Sequence, residues 1–200
     1  MPDEIISTVP LKLETERLVL MMPQAGHAEL APPFLERNRA YFAPWDPPAP
    51  ENGFTVTYWA EQIAIINKTF VDGSAVRFWL WAKEEPTRMI GTIGFSQITR
   101  GPFCACVMGY KLDQQFAGKG MMQEALQTAI RYLFVEQKLH RIAANYRPEN
   151  MRSGKLLAKL GFTIEGFAKN YLFIDGDWRD HVLTSLTNDG FRPKWLSAVK

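Results

Sequence analysis

With 200 residues, 46% of them hydrophobic and 22% charged, the chain has the length and composition of one globular domain with a sizeable core. A net charge of +2 argues neither for nor against a nucleic-acid partner, and no direct nucleic-acid readout is expected. No apolar run is long enough to span a bilayer, so no membrane is expected as a partner.

Met1 to Pro10 holds Asp3 and Glu4 and lacks the basic start of a secretory signal. Cys104 and Cys106 lie two apart in a strand pattern, on one face and too close in sequence for an unstrained disulfide. They read as free thiols of a reducing compartment, which places the chain in the cytoplasm.

Val9 to Met22 predicts an opening strand with a kink near Thr15. Gln24 to Asn38 has helical spacing, with Ala28, Leu30, Phe34 and Leu35 apolar. Asn38 to Pro50 carries four prolines and three aromatics, which argues against regular structure. An aromatic loop of this kind suits either a packed connection or one wall of a binding groove.

Phe54 to Val71 predicts a second long helix. Strands are predicted over Val76–Lys83, Met89–Ile98 and Phe103–Leu112, joined by turns at Glu84–Arg88 and Arg100–Pro102. Three antiparallel strands therefore run into Gly118-Lys119-Gly120, and a helix follows to about Gln137. Free N–H groups at a helix start, the helix dipole and glycines that admit close approach together suit an anion. Lys119 could add a point charge. The sequence fits neither the P-loop, because Met121 follows Gly120, nor the dinucleotide fingerprint, because position 123 is Gln.

His140 to Tyr146 predicts a short strand, reached from the third strand by a connection long enough for a parallel crossover. A short helix over Ser153–Leu160 stops at Gly161. Phe162–Ala168 and Tyr171–Ile174 then continue as strand, Asp175-Gly176 is a hairpin signal, and Trp178–Leu186 is the return strand. The order β-α-α-β-β-β-α-β-α-β-β is a mixed α+β domain, its core from about residue 9 to 188 and residues 189–200 a tail. His27, His140 and His181 lack a second ligand at metal spacing, so no metal is expected and structural roles are favoured.

On these residues the chain resembles the GNAT N-acetyltransferases. The order of elements, the Gly118-Lys119-Gly120 turn and Asn150-x-x-Ser153 with Leu157-x-x-Leu160-Gly161-Phe162 carry the likeness. Thr15-Glu16-Arg17-Leu18, Trp45-x-Pro47, Glu124-Ala125 and Asp175-Gly176-x-Trp178-Arg179-Asp180-His181 resemble the branch that modifies ribosomal proteins. The resemblance implies a mostly antiparallel seven-stranded sheet with one splayed parallel pair. It implies acetyl-CoA as co-substrate and, as acceptor, the N-terminal alanine of a ribosomal protein or a ribosome-associated chain.

The resemblance also implies the site. Ala117, Gly118, Lys119, Gly120, Met121 and Met122 would hold the pyrophosphate. The splayed strand around Met108, Tyr110 and Leu112 would bind the pantetheine, with Asn150 on its other side. Ser153 matches a general acid. The sister branch's glutamate base falls on Leu172, so that base does not carry over. Asn145 or Tyr146 holding a water, Tyr171 or Asp175 are the substitutes. The family's Gln/Arg-x-x-Gly-x-Gly/Ala pattern fits Gln115 to Gly120 literally. Aligning on Gly-Lys-Gly instead puts Ala117 where relatives carry Gln, and Glu124-Ala125 then falls in place. Acetylation of a small amine (polyamine, amino acid or drug) and a non-catalytic CoA-binding module are the alternative readings.

Overall fold

A computed structural model describes residues 10–192. Val9 and residues 193–200 of the expected tail lie outside the described residues. The predicted opening strand is two strands. Lys12–Glu14 (β1) pairs antiparallel with Leu18–Met21 (β2), Lys12 opposite Met21. The expected kink is the turn of this hairpin. Thr15 closes it, with its N–H on the Leu18 carbonyl at 2.9 Å and its Oγ1 accepting from the Leu18 N–H at 2.9 Å. The hydroxyl gives the backbone a partner that a continuous strand would not need.

Gln24 opens a 3₁₀ turn over Ala25–Leu30, then helices Ala31–Arg37 (α1) and Arg39–Phe42 (α2). The expectation of no regular structure from Asn38 onward is thus corrected by one short helix; the prolines begin only after it. Val56–Val71 (α3) starts where the Thr55 side chain accepts from the Tyr58 N–H, an N-cap. The strands Val76–Ala82 (β3), Glu85–Thr99 (β4) and Ala105–Leu112 (β5) are antiparallel neighbours. Met121–Val135 (α4) crosses to Arg141–Tyr146 (β6), which runs parallel to β5. Met151–Lys159 (α5), Thr163–Ile174 (β7) and Asp177–Thr187 (β8) complete the chain. The Asp175-Gly176 turn takes left-handed backbone at both residues, φ 53° and 74°, as a tight hairpin requires.

The sheet has eight strands, not seven, in the order β1-β2-β3-β4-β5-β6-β8-β7. The extra strand comes from the hairpin at Thr15. One face packs on α4 and α5 through Phe78, Leu80, Ile93, Phe95, Leu126, Leu133 and Ile142. The other face packs on α1 and α3 through Trp79, Trp81, Phe34 and Ile63. Cys104 and Cys106 are free and buried, and burial pushes the Cys106 thiol up to about 12. A thiol held that way is inert packing.

The parallel pair is short. Ala105, Cys106 and Val107 pair with Arg141, Ile142 and Ala143, and the pairing stops there. From Met108 onward β5 stays with β4 while β6 stays with β8. The two central strands therefore splay, and the gap passes through the sheet.

Candidate active site

A cleft of about 820 Å³ fills the splay and opens to both faces of the sheet. Alternate residues of each strand point to opposite faces. Met108, Tyr110, Ala144 and Tyr146 accordingly lie on the α4–α5 face, and Gly109, Lys111, Asn145 and Arg147 on the other.

On the α4 face the cleft ends at the glycine turn. Gly118 and Gly120 both adopt left-handed backbone, φ 77° and 76°, which a side chain would strain. Gly120 is the N-cap of α4. Among the described residues, the N–H groups from Gly118 through Gln123 donate to no other group; the first helical bond is Glu124 N–H to Gly120 O at 3.1 Å. This row of free donors at a helix start has the geometry of an anion cradle.

The cradle is fixed from behind. Glu124 accepts from the Thr15 hydroxyl at 2.5 Å, the Arg17 N–H at 2.9 Å and Arg17 Nε at 2.7 Å. Arg17 also reaches the Lys119 carbonyl at 3.0 Å. Burial would raise the Glu124 carboxyl, but these donors win and hold it below its usual value. The Thr15-Glu16-Arg17-Leu18 turn and Glu124 are thus one clasp, which explains why both motifs occur together.

Ala117, Gly118, Gly120, Met121 and Met122 all line the cleft, as expected. Met121 and Met122 do so by backbone, since their side chains are buried in the core. Of the residues expected to hold the pyrophosphate, Lys119 is the one not in the lining; its ammonium lies 5.3 Å over the Phe116 ring. Gln115, the glutamine of the literal family pattern, accepts from Arg88 Nη2 at 2.7 Å and so points away from the cradle.

At the centre of the cleft, Asn150 caps α5 by accepting the Ser153 N–H at 3.1 Å. The Ser153 hydroxyl makes no side-chain hydrogen bond among the described residues and faces the cleft. Burial pushes the neighbouring Tyr110 hydroxyl up to about 12, with Ser153 acting in the opposite direction. Tyr110 Oη nevertheless lacks a partner at hydrogen-bonding geometry among the described residues, so Ser153 lies beside it rather than bonded to it. The Tyr146 side chain lies against Gly154, where an added Cβ would meet Cε2, Cζ and Oη at 2.9 Å.

On the opposite face, Tyr41, Phe42, Trp45 and Asp46 form the aromatic wall anticipated for this stretch. Arg147 holds it, with its Nη1 on the Pro44 carbonyl at 2.5 Å and its guanidinium over Trp45. Asp46 pairs with Lys111 at 2.6 Å; burial nonetheless raises its carboxyl. Asn145 donates to Tyr171 Oη at 2.9 Å and accepts the Thr184 N–H at 3.3 Å. Leu172 and Asp175 do not line the cleft, whereas His181, whose ring is 5.1 Å from Tyr171, does. Among the described residues no group of three or more His, Cys, Asp or Glu is placed to hold a metal ion.

Residues 17–163 match the Acetyltransferase (GNAT) domain family. The chain is 45% identical over 188 residues to the [ribosomal protein uS5]-alanine N-acetyltransferase of Escherichia coli, covering 94% of this chain and 96% of that one. It is 33% identical to the probable N-acetyltransferase YjcK of Bacillus subtilis, over 76% of this chain and 83% of that one. Among solved structures, the ribosomal-protein-S5-alanine acetyltransferase of Vibrio fischeri superposes with a TM-score of 0.87 at 39% identity, covering 92% of this chain and all of that one (100%). Mycobacterium smegmatis RimJ, solved with a CoA disulfide, superposes with a TM-score of 0.82 at 26% identity, covering 92% and 88%. The splayed parallel pair, the cradle beneath it and these likenesses agree: the chain belongs to the GNAT family of acetyltransferases.

Proposed function

We propose that the chain transfers the acetyl group of acetyl-CoA to the N-terminal α-amine of a ribosomal protein that begins with alanine. The observation that carries this reading is the single cleft through the splay. It joins an anion cradle on one face to an aromatic-walled groove on the other, as a thioester donor and a peptide acceptor entering from opposite sides would require. The 45% likeness along the chain to an alanine N-acetyltransferase supports the acceptor.

The free N–H groups from Gly118 to Gln123 fit a pyrophosphate. The unpaired edge of β5 from Met108 to Leu112 fits the pantetheine amides, with Asn150 across from it. Acetyl-CoA supplies an activated thioester carbonyl. The amine nitrogen attacks that carbon, the carbonyl electron pair moves to oxygen, and a backbone N–H of the splayed strand stabilises the oxyanion. The amine gives up one proton toward solvent, collapse breaks the carbon–sulfur bond, and the Ser153 hydroxyl gives its proton to the departing thiolate and regains one from solvent. Tyr146 and Asn145 frame the point of attack. Asn145 has both ends of its amide engaged, so its part is to hold Tyr171 and the groove wall.

The energetics favour an α-amine. At pH 7, deprotonating an α-amine of pKa about 7.7–8.0 costs about 1 kcal/mol, against about 4.6 kcal/mol for a lysine. Placing the amine at about 3–3.5 Å from the carbonyl carbon then supplies most of the acceleration.

The test is a peptide panel varied at the first residue, with acetyl-CoA, following thiol release and mass shift. Acetylation of the N-terminal amine of Ala-starting peptides is expected; reaction of spermidine with all peptides silent would overturn the reading. Ser153→Ala should lower kcat by about 10²-fold with CoA affinity kept, read by steady-state kinetics and titration calorimetry. Glu124→Ala should weaken CoA about tenfold, equivalent to ~1.4 kcal/mol, because the cradle loses its clasp. Calorimetry checks this against the unchanged peptide KM.

A further inference from the structure

We infer that His181 is the proton acceptor for the incoming amine. This rests on the acetyltransferase reading above and adds the residue that reading lacks.

His181 is 4% exposed, yet it lines the cleft. It sits on β8, one step from the Tyr146↔Val182 pair and on the same face as Leu183, the register partner of Asn145. That is the groove face, away from the cradle. Its Nδ1 lies 3.0 Å from the Arg179 carbonyl. A carbonyl only accepts, so Nδ1 carries the hydrogen and the neutral ring presents the Nε2 lone pair. Nε2 has no partner among the described residues. The ring is held by Tyr171, which Asn145 fixes in turn. A base oriented by one bond, with its other nitrogen free in a cleft, is the arrangement a general base needs.

The competing groups are otherwise occupied. Among the described residues, Asp46 is the only carboxylate in the lining, and it is paired with Lys111. Lys169 on β7, Arg147 just after β6 and Arg179 on β8 carry hydrogen-bond donors and no acceptor, the Tyr171 hydroxyl receives the Asn145 amide, and Tyr146 lies against Gly154 on the other face. Asp180 accepts the Asn170 N–H at 2.8 Å. In the step itself, the nitrogen–carbon bond forms, one N–H proton passes to Nε2, and the carbonyl pair moves to oxygen. After collapse the imidazolium returns its proton to solvent. Ser153 gives its proton to the thiolate and regains one from solvent, so one proton leaves through His181 and one enters through Ser153 in each turnover.

The experiment uses the full chain, acetyl-CoA and an Ala-starting peptide. In His181→Ala, kcat should fall 10²- to 10³-fold, with CoA affinity and unfolding midpoint kept. Added imidazole should restore rate in proportion to its neutral fraction, and the ascending limb of the kcat–pH profile should vanish. A kcat within threefold of wild type overturns the inference. So does a loss, in a folded variant, that imidazole does not relieve, because His181 would then only position the groove. If His181→Ala does not fold, His181→Gln decides: a wild-type pH profile sinks the inference, and a lost limb supports it. A wild-type chain inactive on the peptide would instead refute the underlying reading.

Discussion

Asp113→Ala is expected to lower stability by about 3 kcal/mol or more, as breaking a buried charge network does. Asp113 is 1% exposed and sits where β5 ends and the cradle loop begins. It accepts from Arg37 Nε at 2.5 Å, Arg88 Nη2 at 2.9 Å and the Gln115 N–H at 3.0 Å. Arg37 also donates to the Met89 carbonyl, and Asn38 Oδ1 accepts the Gln114 N–H at 3.0 Å. One carboxylate thus ties the end of α1 and the start of β4 to the loop that leads to Ala117. Removing it leaves two guanidiniums facing each other and frees the loop. Chemical denaturation should show the loss, and calorimetry a weaker CoA.

The same residue sets an acid limit. Burial alone would raise its carboxyl, but the hydrogen bonds from Arg37, Arg88, Gln115 and Asn38 outweigh it and hold the pKa at about 2. A depressed carboxyl contributes stability that is fully present above its unfolded value and lost as pH falls through its folded value. Wild type should therefore lose stability between about pH 4 and pH 2, and Asp113→Asn, already weakened, should lose less over that window. Equal slopes in urea titrations at these pH values would refute the assignment.

None of this network was legible in the sequence. Arg37, Arg88 and Asp113 are far apart in the chain and follow no local periodicity; only the fold brings them together. The elements themselves were legible because their signals are local. Short apolar and aromatic runs bounded by turns mark β3 to β5, the apolar stripe marks α4, and Asp175-Gly176 marks the last hairpin. The β1–β2 hairpin was missed because its turn lacks Gly, Asn or Pro and is closed by one threonine hydroxyl. The turn was legible through its glycines, but the position of the Lys119 side chain was not, because a lysine between glycines says nothing about where its side chain lies. His181 could have been found. Strand alternation from Asn145 through the antiparallel partner puts it on the groove face, but that step needs the β6–β8 pairing, which sequence spacing does not give.

Gly154→Ala is expected to separate activity from stability. In most helices the change stabilises, by roughly 0.5–1 kcal/mol, since alanine is the better helix former. Here the new Cβ would meet Tyr146 Cε2, Cζ and Oη at 2.9 Å, so the ring must move. Tyr146 is the last residue of β6, at the point where the splay is widest and beside Ser153 and Tyr110. Backbone on both sides is fixed by pairing with β8 and by the Asn150 cap, so the displacement falls on the ring. A shift of about 1 Å in a positioning group can cost about 10²-fold in rate. We therefore expect kcat to fall about that much while the unfolding midpoint stays within ~1 kcal/mol of wild type. Tyr146→Phe distinguishes the ring from its hydroxyl. If the phenylalanine variant keeps its rate and Gly154→Ala does not, the ring's position is what the glycine protects. If Gly154→Ala retains full activity, Tyr146 is not part of the machinery and the attack point lies further toward the Asn145–His181 side of the cleft.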